Sequence, residues 1–279
     1  MVYGMLNIKV EMKLTNITLL TLALILSLTS CKREPKVEIT APPIPEAPLP
    51  NVQSYNGHDY IDLGLSVKWA TMNVGADSLY GLGDYFAWGE IEPKEEYTWD
   101  NYKFRNKETG ATTKYCINPK EGEVDDVTQL ELIDDVAAVQ WGGNWRIPND
   151  KEYTELISQC YWDWTDSYRG HNIQGFRVFQ AKDESDRGKC RTKDKGAITL
   201  TIYNEAEDVH IFIPVSGYRT GQTTKFVGSV GDYWASTLYV RWALSNCGQM
   251  LAVFQIENDR RLNSSDFRYI GHTVRAVCP

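Results

Sequence analysis

The sequence predicts an α+β domain, because short apolar runs divided by Gly, Asn and Asp dominate from Tyr55 onward and helical spacing prevails in only two places. Two helices among many short antiparallel strands fit that class, whereas a wound βαβ sheet would alternate strand with helix. Length is the third observation. The chain has 279 residues, and the part left after a pattern-poor N-terminus suits one large domain or two small ones.

Taken in order, strands are expected at 60–63, 67–70 and 85–88. A helix is expected within 128–140, where Leu132, Ile133, Val136, Ala137 and Val139 can share a face before Gly142 and Gly143 stop it. The second helix follows Pro148: Asn149 can cap it, Glu152 sits three residues on, and Tyr153, Leu156, Ile157 and Cys160 fall on one face. Further strands are expected at 176–180, 197–203, 209–214, 234–238, 250–256 and 273–277. The Trp-Gly pairs at 88 and 141 have unrelated flanks, so no internal repeat is read.

Before the domain, Lys13 precedes an uncharged run at 17–28 (ITLLTLALILSL), shorter than a membrane span and of signal-peptide length. Met12-Lys13 makes a more natural start than Met1. The run ends in Leu28-Thr29-Ser30-Cys31, which resembles the lipobox of bacterial lipoproteins. That resemblance implies a signal peptide over 1–30 and a diacylated Cys31 as the new N-terminus, a membrane partner through lipid. Each buried methylene contributes about 0.8 kcal/mol, so two or three acyl chains anchor firmly. Lys32 stands where an Asp would resemble an inner-membrane retention signal, so the outer membrane is the expected location. Residues 32–54 carry six prolines and read as an extended stalk.

The formal charge of −8, without a long basic run, argues against a nucleic-acid partner. Once Cys31 is lipidated, Cys116, Cys160, Cys190, Cys247 and Cys278 remain, an odd number for a compartment that permits disulfides. Cys160 ends a buried helix face and Cys278 ends the last strand, which makes them the expected bridge; the pairing of the other three stays open.

Six segments then suggest a family: 62–70 (DLGLSVKWA), 83–90 (GDYFAWGE), 141–148 (WGGNWRIP), 211–219 (IFIPVSGYR), 231–237 (GDYWAST) and 271–277 (GHTVRAV). In this order, from about Gly57 to Pro279, they resemble the Fibrobacter succinogenes major paralogous domain. The resemblance implies a C-type-lectin-like fold, related to formylglycine-generating enzymes and phage tropism determinants and common on surface lipoproteins of Gram-negative bacteria. It also implies a disulfide between a helix and the last strand, in keeping with Cys160 and Cys278. It brings no agreed activity.

In such folds the segment before the closing strand forms an exposed face that carries specificity. Here it spans 238–270, and the ligand-binding residues expected in it are Tyr239, Arg241, Trp242, Asn258, Asp259, Arg261, Asn263, Phe267 and Tyr269, with Asn246, Arg260 and Arg268 beside them. Aromatic rings stack on the apolar faces of sugars while polar groups fix orientation, which suits a glycan or a surface protein. No cofactor is expected, with a structural calcium as the alternative: Glu257-Asn258-Asp259 is a fragment of a calcium-lectin cluster, and Asp125-Asp126 and Asp134-Asp135 read as helix-start carboxylates. The four histidines lack metal-ligand spacing. Arg146, Arg219 and Arg275 read as ion pairs organising an aromatic core. The sequence thus leads to a non-enzymatic surface recognition lipoprotein. Its rivals are an accessory subunit of a surface assembly such as a pilus tip, and an oxidase-like enzyme using Cys190 and Cys247.

Overall fold

Asn56 and Gly57 both adopt positive φ, 47° and 82°, the geometry a two-residue hairpin requires and the reason Asn-Gly favours it. They join β1 (Gln53–Tyr55) to β2 (His58–Ile61) with Tyr55 opposite His58. β2 pairs with β3 (Lys68–Ala70), and β3 pairs with β13 (Val277–Cys278), so the last strand completes the first sheet. The structure, a computed structural model, describes residues 47–191, 202–240, 246–254 and 260–279, and Ala47–Pro279 forms one compact unit.

A second sheet has the order β6-β4-β5-β7, with β4 (Cys160–Thr165), β5 (Gly175–Gln180), β6 (Cys190–Arg191) and β7 (His210–Pro214). All its pairings are antiparallel except β4 with β6. A hairpin of β8 (Tyr218–Thr220) and β9 (Thr223–Lys225) precedes a third, antiparallel sheet of β10 (Val230–Leu238), β11 (Cys247–Phe254) and β12 (Arg260–Phe267). With two α-helices among the described residues, this is a sheet-rich α+β domain.

Helix α2 (Asp150–Gln159) forms as its sequence dictates. Asn149 Oδ1 accepts from the Glu152 N–H at 3.0 Å, and the Glu152 carboxylate accepts from the Asn149 N–H at 2.8 Å, a reciprocal capping box. Its buried face, Tyr153 and Leu156, packs with Trp69 and Trp162 in one core cluster. Cys160 is the first residue of β4 and its strand neighbours Tyr161 to Trp164 are buried, so helix passes into strand without a Gly or Pro break.

The helix expected within 128–140 is shorter and shifted. Residues Leu132–Asp134 make a single 3-10 turn, and α1 runs Val136–Trp141. The cause is Asp135: its extended backbone and its carboxylate, accepting from the N–H groups of Ala137 and Ala138, start the helix there. Leu132 and Ile133 are consequently 64% and 69% exposed, and Val139 faces out as well.

Five tryptophans are fully buried. Two of them cross-link the core: Trp88 Nε1 donates to the Ala235 carbonyl at 2.8 Å, and Trp234 Nε1 donates to the Phe86 carbonyl at 2.7 Å. Where a strand was expected at 85–88 there is a single bridge, Phe86 with His272. The strand expected at 197–203 lies largely outside the described residues, as does Cys31.

The expected bridge between Cys160 and Cys278 is not formed. Cys278 carries a free thiol on β13. It packs in the cluster around Trp88, Trp145 and Trp234, while Cys160 packs in the other cluster, around Trp69 and Trp162. Arg146 does make its ion pair, with Glu152. Arg275 does not: fully buried, it donates to Asn73 Oδ1 at 2.9 Å and to the carbonyls of Ala70 and Phe212 at 2.9 and 2.7 Å. Arg219 likewise donates to the carbonyls of Lys94 and Glu95 at 3.3 and 3.0 Å.

Candidate functional site

Between 91 and 127 the chain contains only one 3-10 turn, Trp99–Asn101, and it is held by side-chain-to-backbone bonds. Asn106 Oδ1 accepts from the N–H groups of Glu108 and Thr109 at 2.9 and 3.0 Å, the local competition with regular structure that Asn favours. Asp125 accepts from the N–H groups of Tyr115, Cys116 and Val127. Asp134 gathers Lys103, Lys114 and the Tyr115 hydroxyl, each at 2.6 Å. Burial opposes its charge, but these three bonds outweigh burial and hold the carboxyl below its ordinary value.

The same segment is bolted to the third sheet by Arg268. This guanidinium is fully buried and lies over four rings, with its carbon 4.8 Å from the Trp88 centroid and 5.3 Å from that of Tyr102. Its Nε donates to the Tyr102 hydroxyl at 2.8 Å, and its other nitrogens donate to the Lys114 and Tyr115 carbonyls at 3.0 and 3.3 Å. Arg268 is therefore a fastening inside the core and not a surface ligand contact.

Held this way, the segment and the start of β11 enclose a cleft of about 440 Å³. Trp99, Arg105, Thr112, Glu121 and Asn246 line it, with the backbone of Gly110 and Gly122. Behind Trp99 the rings continue: Trp99 to Tyr269 is 4.9 Å between centroids, Trp99 to Phe267 is 6.1 Å, and Phe267 stacks on Tyr269 at 5.8 Å. Arg105 also lies over the Trp99 ring, 5.4 Å from its centroid. The arrangement offers ring surface, a guanidinium, an amide and hydroxyl groups within one concavity, the composition of a site for a polar molecule with apolar faces.

Of the residues expected to bind, Phe267 and Tyr269 come together behind Trp99 and outside the lining itself, and Asn246 reaches the lining. Tyr239 is half-buried just past the end of β10, its N–H donating to the Cys247 carbonyl at 3.1 Å. Arg241, Trp242, Asn258 and Asp259 lie outside the described residues, and Arg261 and Asn263 are placed only as positions on β12. Much of the described part of the span 238–270 is sheet, β11 and β12. Trp99, Arg105 and the loops 109–112 and 119–122 were not foreseen. Their signal is a long segment without apolar period that is nevertheless rich in aromatic and turn-forming residues.

Below the wall sits a buried polar set. His272, fully buried, has Nε2 3.2 Å from Asp266 Oδ2 and Nδ1 3.9 Å from Asp232 Oδ2. Burial pushes the Asp232 carboxyl up to about 6, against the pull of His272 and with a smaller push from Asp266. Cys247 stands nearby on β11, its thiol raised to about 11 by burial and by the charges of Asp266 and Glu121. Among the described residues no group of His, Cys, Asp and Glu is arranged to hold a metal ion.

No family model, curated protein or solved structure matches this chain.

Proposed function

We propose that the chain is a lipid-anchored recognition protein of the outer-membrane surface, with a C-type-lectin-like domain that binds a glycan in the cleft beside Trp99. The observation that carries the reading is the half-buried Trp99 ring, in contact with Phe267, Tyr269 and the Arg105 guanidinium at the edge of a polar concavity. Sugars present a C–H face that stacks on such a ring and hydroxyls that bond to groups like Asn246 and the loop backbone. Two features support the fold and family reading: segments 83–90, 231–237 and 271–277, which suggested the family, converge on each other through the Trp234 to Phe86 bond and the Phe86–His272 bridge. The oxidase alternative calls for a low-pKa thiol, and the Cys247 thiol is shifted the other way.

The test is a glycan array probed with the chain and with Trp99→Ala, each checked for fold by circular dichroism. Binding by the parent and its loss in a folded Trp99→Ala variant support the reading; binding unchanged by that substitution removes the cleft from it. Release of a diacylglyceryl-modified Cys31 peptide, identified by mass spectrometry of the cell-derived protein, tests the anchor.

A further inference from the structure

Arg105 is the charged group of the cleft that is held in place yet left uncompensated. Its guanidinium lies on the face of Trp99, 5.4 Å from the centroid, and a Cβ added at Gly110 would come within 3.3 Å of its Nη2. It is therefore held against a ring and close beside a glycine backbone, which limits its freedom before any ligand arrives. Among the described residues no carboxylate pairs with it, although Lys94, Lys103, Lys114, Arg146, Arg177 and Arg191 each have one.

The surroundings have the same sign. The chain as a whole carries −8, but the cleft lining holds Arg105 and Lys120 against one carboxylate, Glu121. A positive concavity attracts anions locally, against the repulsion of the chain's net negative charge, and so sets this site apart from the rest of the surface. A planar guanidinium pairs with a carboxylate through two parallel N–H···O bonds, a match an ammonium cannot make.

We infer that the cleft takes a saccharide bearing a carboxylate, a uronic-acid-type glycan, with the carboxylate on Arg105 and a neighbouring sugar ring on Trp99. This rests on the glycan reading above and specifies its ligand. The carboxylate replaces the partner that the fold withholds from Arg105, while Trp99 holds both the cation and the sugar.

The experiment is direct titration of the detergent-solubilised full chain with uronate oligosaccharides, with the same oligosaccharides after carboxyl reduction, and with sulfated neutral oligosaccharides of equal length. The expected result is binding of the uronates at least about tenfold tighter than their reduced forms. That preference should weaken with added salt and fall below about twofold in Arg105→Gln. Arg105→Lys, which keeps the charge and loses the fork, should recover only part of it, and serves if the Gln variant does not fold. Equal binding of reduced and unreduced saccharides overturns the inference and leaves the glycan reading standing. Binding of the sulfated set alone overturns the carboxylate. If no saccharide binds, the glycan reading fails and this inference with it.

Discussion

Arg268 Nε donates to the Tyr102 hydroxyl at 2.8 Å, and Tyr102 in turn donates to the Trp88 carbonyl at 2.7 Å, so one buried guanidinium ties the end of β12 to the cleft segment and to the aromatic core. Replacing it by Leu leaves the Tyr102 hydroxyl and the Lys114 and Tyr115 carbonyls without their donor. The expected loss is about 3 kcal/mol, read as a lower urea midpoint at unchanged slope, and the cleft should lose ligand before the domain unfolds.

His210 is fully buried, its Nδ1 2.8 Å from the Asp208 carbonyl and its Nε2 3.1 Å from the Tyr168 hydroxyl. Burial, aided by the charges of Arg169 and Arg177 and opposed by the Asp208 carbonyl, lowers its pKa from 6.5 to about 4. The unfolded chain therefore binds the proton first, and stability should fall as pH drops from 6.5 toward about 4. The loss is about 3 kcal/mol. His210→Gln should flatten that part of the pH profile of the unfolding midpoint.

Asp232 has the opposite slope. Its carboxyl is raised from 3.8 to about 6, so the folded state binds the proton first and stability falls as pH rises through that window. Asp232→Asn should match the parent below pH 3.8 and exceed it by about 2 to 3 kcal/mol above pH 6. A variant no more stable than the parent at neutral pH would show that His272 offsets the burial of the charge completely.

Gly248 lies where a Cβ would meet Trp88 Cδ1 at 2.7 Å and Trp234 Cζ3 at 2.9 Å, both rings fixed by their own hydrogen bonds. Gly248→Ala should cost about 1 to 3 kcal/mol by overpacking and should change the near-ultraviolet circular dichroism of the two indoles.

Cys116, Cys247 and Cys278 are free thiols. In denaturant and without reductant, alkylation followed by peptide mass mapping should label all three. An unlabelled Cys278 that becomes reactive only after reduction would restore a bridge at that position.

What the sequence revealed was local. The capping box of Asn149 and Glu152 is legible because both partners lie within one turn, and so α2 appears where expected. Asp135 was harder to read: its cap competes with an apolar period that runs straight through it, and only the bonds to Ala137 and Ala138 decide the start of α1. Arg268 read as surface because arginine is rarely buried, and nothing near it in sequence foretells the four rings that cover it. Trp99 was not foreseen beside Phe267 and Tyr269, since their meeting is a tertiary event between the end of β12 and a segment with no period. The Cys160–Cys278 expectation failed for the same reason: chain position carries no information on which of two core clusters a side chain enters.

The pairing of β3 with β13 sets Trp69 opposite Val277, residues near opposite ends of the domain. Such a contact closes a very large loop, so it forms late and makes folding slow. The edge at Trp69 stays unpaired until β13 reaches it. Deleting Val277 and Cys278 should therefore undo the first sheet at the strand that precedes them by about two hundred residues.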